Sequence, residues 1–243
     1  AGHSKFKNIM HRKGAQDKKR AKIFSRLGKE ISVSVKVGGS DPENNVRLRS
    51  AISSAKALNM PKDNIERAIK KGEGNDPDSN FEEVRYEGYG PQGTAIIVEA
   101  MTNNKNRTAA EIRSIFSKSG GNLGENGSVS YGFKRLGMIA LSKSSISEEE
   151  LFEFVVENGS EDLELNDDSY NIYCDQNVLH DLNEKIIEKF AQTTSAELVW
   201  KSDSSIQIEK ETAEKLFKLI SSLEDSEDVQ SVSSNFEVSE EIL

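Results

Sequence analysis

The chain has 243 residues, 35% of them hydrophobic and 30% charged, and a formal net charge of −9. That length points to two or three domains, and no apolar run approaches the roughly 18 residues that a membrane-spanning helix needs. The single cysteine, Cys174, excludes an intrachain disulfide and a cysteine-based zinc site.

Nothing in this composition asks for an oxidising compartment. A bacterial cytoplasm, or a mitochondrial matrix after presequence removal, is the expected location. Ala1-Gly2 reads as a start from which an initiator methionine has been removed, and no apolar segment of a secretory signal follows it.

The overall charge conceals a segregation. Residues 1–37 hold eleven cations (Lys5, Lys7, Arg12, Lys13, Lys18, Lys19, Arg20, Lys22, Arg26, Lys29 and Lys36) against Asp17 and Glu30, a net +9. Residues 1–71 carry +12, which leaves −21 on residues 72–243. A cationic head on an anionic body points to a polyanionic partner more strongly than the total charge does.

In chain order, residues 1–16 lack clear periodicity. A helix is predicted over 17–37, with Ile23, Phe24, Leu27, Ile31 and Val35 on one face and Lys18, Lys22, Arg26, Lys29 and Lys36 on a separate stripe. Gly38-Gly39 ends it. Ser40-Asp41-Pro42-Glu43 reads as the start of a second helix, with Leu48, Ala51, Ile52, Ala55 and Leu58 inward. Asn59-Met60-Pro61 opens a third over 62–71, with Ile65, Ala68 and Ile69 inward. The polar stretch 73–80 is a linker.

Beyond it the period changes. Strands are expected at 93–101, 128–133, 137–141, 162–165, 170–174, 196–200, 205–209 and 229–238. Helices are expected at 107–119, with Ala110, Ile112, Ile115 and Phe116 apolar, and at 147–158, 178–190 and 210–223. The fold class is therefore α+β. A three-helix basic domain (1–78) precedes two ferredoxin-like α/β domains, one (136–204) inserted in the other (79–135 plus 205–243).

Several motifs carry less than they suggest. Gly88-Tyr89-Gly90-Pro91-Gln92-Gly93 matches G-x-G-x-x-G, but it precedes a strand and opens no helix, so it is read as a turn and not a dinucleotide site. The Gly- and Asn-rich stretch 120–127 follows a helix, which makes it a poor phosphate cradle and an ordinary turn. His3, His11 and His180 lack metal-ligand spacing. Cys174 reads as a buried inert thiol. The acidic runs at 148–150, 161–162, 167–168 and 224–228 read as solvated faces and turn tips.

Nucleic-acid contact is the reading for the head. The candidate residues are Lys5, Phe6, Lys7, His11, Arg12, Lys13, Lys18, Lys19, Arg20, Lys22 and Arg26, with Phe6 either stacking on an unpaired base or pinning the arm. No helix-turn-helix with an Asn-, Gln- and Arg-bearing reading helix is visible. No catalytic constellation, metal site or cofactor motif announces itself, so no enzyme activity is expected.

Specific residues resemble a known family. His3-Ser4-Lys5, Asn8-Ile9, His11-Arg12-Lys13-Gly14, Gln16-Asp17, Lys19-Arg20, Lys22-Ile23-Phe24, Gly38-Gly39, Asp41-Pro42, Asn44-Asn45, Met60-Pro61-Lys62-Asp63-Asn64-Ile65, Tyr86-Glu87-Gly88-Tyr89-Gly90-Pro91 and Gly121-Asn122-Leu123-Gly124 closely resemble the YebC/PmpR family, which includes the mitochondrial translational activator of cytochrome oxidase subunit I. The resemblance spans the chain. It implies three domains and a cytoplasmic, non-enzymatic protein, acting either as a DNA-binding transcriptional regulator or at the ribosome, binding RNA and aiding synthesis through proline-rich stretches. Apart from the resemblance, a monomer is expected. Phe6 and Tyr131 stand where the family often has Trp, and Gln92 where Gly is usual.

Overall fold

The structure, a computed structural model, describes residues 16–144, 146–239 and 241. Two compact units form. One joins 80–134 and 200–243 with the first turns of the N-terminal helix, and the other joins 26–79 with 135–199.

Helix α1 spans Gln16–Gly38 and closes through a left-handed glycine, Gly39 (φ 89°), whose N–H donates to the Val35 carbonyl at 2.7 Å. Helix α2 (Val46–Ala57) starts later than expected. Asp41 and Pro42 instead cap a short 3-10 turn, Pro42–Asn44, and the α-helix begins behind Asn45. Helix α3 covers Lys62–Glu73, with Ile65 and Ala68 buried.

In the first unit, strands β1 (Glu82–Tyr89), β2 (Ala95–Thr102), β3 (Asn122–Leu123) and β9 (Val229–Ser234) form an antiparallel sheet ordered β3-β1-β2-β9. Helices α4 (Lys105–Lys118) and α7 (Lys210–Asp225) cover one face, where Ile96, Val98, Ile112, Phe116, Leu216, Leu219, Val229 and Val232 form the core. On α4 the expected apolar Ala110 is exposed and Thr108 is buried in its place. Thr108 donates to Asp228 at 2.7 Å, and the Arg107 guanidinium meets the same carboxylate at 3.2 Å. A buried acid thus draws a polar residue inward.

In the second unit, β4 (Phe133–Ser142), α5 (Glu148–Glu157), β5 (Ser160–Leu165), β6 (Ser169–Cys174), α6 (Leu179–Lys189) and β7 (Ser195–Ser202) follow in chain order, with the sheet ordered β5-β6-β4-β7. This is the split βαβ order expected for the middle run. Ile139, Leu141, Leu151, Val155, Ile172, Cys174, Leu182 and Ile186 form its core. Ser147 accepts from the Glu150 N–H and caps α5, so the acids 148–150 occupy an exposed first turn.

The outer unit is layered as expected but wired differently. Its central pair is the hairpin β1–β2, in full register from Glu82↔Thr102 to Tyr89↔Ala95. The segment 128–133 is not a strand, because Ser130–Gly132 is a 3-10 turn and β4 begins at Phe133. The tail divides at Asn235, whose side-chain oxygen accepts from the Ala95 N–H at 2.9 Å. Beyond it, β10 (Phe236–Glu237) pairs in parallel with β8 (Ile206–Gln207) as a separate ribbon.

One carboxylate explains why 128–133 fails to become a strand. Glu87 on β1 is fully buried, and it accepts from the N–H groups of Gly127 (2.7 Å), Val129 (3.2 Å) and Ser130 (2.7 Å). Arg85 Nε lies 3.1 Å away. Donors that a strand would give to a neighbour go to this side chain instead. Burial pushes the Glu87 carboxyl up, but the Gly127, Ser130 and Val129 donors outweigh it and hold it below the usual carboxylate range.

Candidate nucleic-acid interface

The second half of α1 is buried on nearly every side: Ile31, Ser32, Val33, Ser34 and Val35 are all inside. Its two serines are satisfied by carbonyls, Ser32 Oγ donating to Ala68 at 2.8 Å and Ser34 Oγ to Glu30 at 2.6 Å. Gly72 lets α3 approach this closely, since a Cβ there would sit 2.5 Å from the Ser32 carbonyl oxygen. Glu30 takes both Nε (2.8 Å) and Nη2 (3.1 Å) of Arg47, which joins α1 to α2 by a two-point pair.

Asn45 joins the same two helices more tightly. Its Nδ2 donates to the carbonyls of Ser34 (2.8 Å) and Gly39 (2.7 Å), and its Oδ1 accepts from the Leu48 N–H at 3.1 Å. Asn45→Ala removes a cap and strands two carbonyls, so a loss of about 2–3 kcal/mol is expected. Urea unfolding should show a lower midpoint, and Asn45→Asp, which keeps the cap but cannot donate, should fall between the two.

The first half of α1 carries the candidate contacts. Lys18 and Arg20 are exposed, while Lys19, Lys22 and Arg26 are half-buried. Lys22 meets Asp225 at the end of α7, in a pair open to solvent on both sides. The Arg20 guanidinium lies 5.8 Å from the Phe24 ring centroid, and Phe24 is half-buried. Five of the eleven candidates therefore occupy one helix segment, while Lys5, Phe6, Lys7, His11, Arg12 and Lys13 lie outside the described residues.

Other chemistry is sparse. Among the described residues no group of three or more His, Cys, Asp or Glu could hold a metal ion, and no helix is long and apolar enough to cross a membrane. His180 Nδ1 lies 2.6 Å from Ser50 Oγ, between α6 and α2, and burial lowers its pKa. Cys174 is fully buried, and burial pushes its thiol up to about 11, so it stays protonated at neutral pH. Gly88-Tyr89-Gly90-Pro91-Gln92-Gly93 is the β1–β2 turn, closed by the Gly90 N–H donating to Thr94 at 2.8 Å. Its Gln92 takes φ 61°, and Nε2 donates to the Gln207 carbonyl at 3.2 Å. Sequence reasoning passed over Glu87; the signal available was an acid inside an alternating strand, two residues from Arg85.

Residues 4–75 match the family model described as the TACO1/YebC protein N-terminal domain, and residues 81–236 match the TACO1/YebC second and third domain. The chain belongs to the TACO1/YebC family. It is also similar to the crystal structure of a conserved hypothetical protein from Aquifex aeolicus, with 47% identity over 92% of this chain and 93% of that one and a TM-score of 0.87. The TACO1/YebC matches take in the cationic head and the anionic sheets alike, so the charge segregation runs across both family segments.

Proposed function

We propose that this TACO1/YebC chain is a non-enzymatic, nucleic-acid-binding regulator of gene expression, of the DNA-binding transcriptional type, that grips phosphates through the first half of α1. The observation that carries this reading is the gathering of Lys18, Lys19, Arg20, Lys22 and Arg26 on one partly exposed helix segment of a protein otherwise at −21 beyond residue 71. Ammonium and guanidinium groups on phosphates give affinity without reading bases.

A second reading, an RNA-binding translation factor acting at the ribosome, is favoured by α3. That helix follows α2 after a short turn, as a reading helix would, yet its exposed surface mixes Asp63 and Glu66 with Lys62, Arg67 and Lys70. Acids among those cations weigh against base reading in the DNA major groove, and phosphate contacts that do not read bases serve RNA as well as DNA. Equilibrium binding to duplex DNA, duplex RNA and single strands across a salt series tests both. Log affinity should fall linearly with log salt, and the preferred ligand separates the readings. Absent or salt-independent binding would overturn the proposal.

A further inference from the structure

Tyr131, in the 3-10 turn after the Gly-rich loop, is 81% exposed, the most exposed large side chain among the described hydrophobic residues. Beside it, Tyr89 at the end of β1 is also exposed, and its hydroxyl donates to the Ser128 carbonyl at 3.1 Å. That carbonyl lies three residues before Tyr131, and the raised Tyr89 pKa, caused by burial and then by the Tyr131 hydroxyl, agrees with this placement.

The loop beneath them is tied down at many points. The Glu87 side chain takes three of its N–H groups, the Glu87 carbonyl takes the Gly124 N–H at 2.8 Å, and the Gly132 N–H donates to Val129 at 3.2 Å. Gly127 provides the left-handed turn, at φ 94°. A segment holding four glycines between residues 120 and 127 would otherwise sample many conformations. Here a fully buried carboxylate, costly to desolvate, holds it in one. Exposed aromatic surface on a pre-ordered support binds a flat partner with little further loss of entropy.

The surroundings indicate what kind of partner. Exposed Asn122 and Asn126 offer amides that can both donate and accept. The charges adjoining it in sequence or through hydrogen bonds are mixed, with Lys134 and Arg85 against Glu87, Glu125 and Asp203. A near-neutral, amide-bearing aromatic ledge suits the face and edge of a base better than a phosphate.

We propose that Tyr131 and Tyr89, at the loop braced by Glu87, form a stacking platform for an unpaired nucleobase of a single-stranded nucleic acid, separate from the phosphate contacts of α1. This rests on the nucleic-acid reading of the chain and adds to it a preference for single-stranded segments.

The test compares the full chain with Tyr131→Ala, Tyr131→Phe and the Lys18, Lys19, Arg20 to Glu triple variant. The probes are a 15-nucleotide mixed-sequence single-stranded RNA and its duplex, over a salt series. Tyr131→Ala should weaken single-strand binding about 5- to 100-fold without changing the salt slope, because stacking releases no counterions. Duplex binding should be unchanged, and Tyr131→Phe should stay near the parent. Fluorescence of Tyr131→Trp should be quenched by the single strand and not by the duplex.

Equal losses on both probes, or an unchanged Tyr131→Ala, would overturn the platform. If the triple variant still loses binding in that case, the phosphate reading stands alone. If the parent binds neither probe nor duplex DNA, the phosphate reading fails, and the platform fails with it.

Discussion

Replacing Lys18, Lys19 and Arg20 together with glutamate should reduce nucleic-acid binding by at least about 100-fold at low salt and flatten its salt dependence. For every phosphate the protein no longer neutralises, the slope of log affinity against log salt falls by about 0.9 on duplex DNA and about 0.7 on single strands. Removing three cations therefore lowers the slope by about 2 to 3, a change that no local packing defect mimics. Lys18 and Arg20 are exposed, whereas Lys22 already shares its charge with Asp225. An exposed pair of that kind is worth at most about 1 kcal/mol, so Lys22→Ala alone should have a small effect. The triple variant should fold, because the helix is held through the buried stretch 31–35, its serine–carbonyl bonds and the Arg47–Glu30 pair, all C-terminal to the substitutions. Circular dichroism checks that. Unchanged affinity and slope in a folded triple variant would remove α1 as the contact surface.

Glu87→Ala should destabilise the first unit strongly, by about 3–5 kcal/mol. Removal of the carboxylate takes the acceptor away from the N–H groups of Gly127, Val129 and Ser130, of which Val129 is buried, and breaks the pair with Arg85. Glu87→Gln keeps the shape, but it turns an amide donor toward backbone donors and should cost less, about 1–3 kcal/mol. The pH dependence identifies the charge as the cause. The folded carboxyl titrates below its unfolded value of about 4.3, so the unfolded chain binds the proton more readily. Its contribution is complete above that unfolded value and disappears as pH falls through the lower folded one. Thermal melts of the parent should therefore lose stability across this acidic window, and Glu87→Gln should show a shallower loss. Equal acid sensitivity in both proteins would mean that Glu87 does not supply it.

The two predictions probe different physics. Charge gathered on one partly exposed helix segment is a property of composition and order along the chain, and its expected effect reaches through solvent. The Glu87 brace depends on a single side chain meeting amides about forty residues later in sequence.

Local pattern was enough for much of the chain. The charge segregation, the long first helix, the βαββαβ run of the second unit and the buried inert thiol all follow from periodicity, capping residues and spacing, because each depends on neighbours within a few positions. What pattern could not show was how polar groups are shared over distance. The strand β1 was hidden because its Arg85 and Glu87 alternate as charges where a buried strand ordinarily shows apolar residues. The segment 128–133 looked like a strand, and only the arrival of the Glu87 carboxylate diverts its amides into a turn. Asn45 takes the cap of α2 away from Asp41 because only its position reaches both Ser34 and Gly39. The fold class and the charge segregation were legible in the sequence because they are sums over local preferences. The hairpin at the centre of the first sheet, the braced loop and the exposed Tyr131 were settled by tertiary contacts, because a buried polar group must find its partner wherever the folded chain brings one.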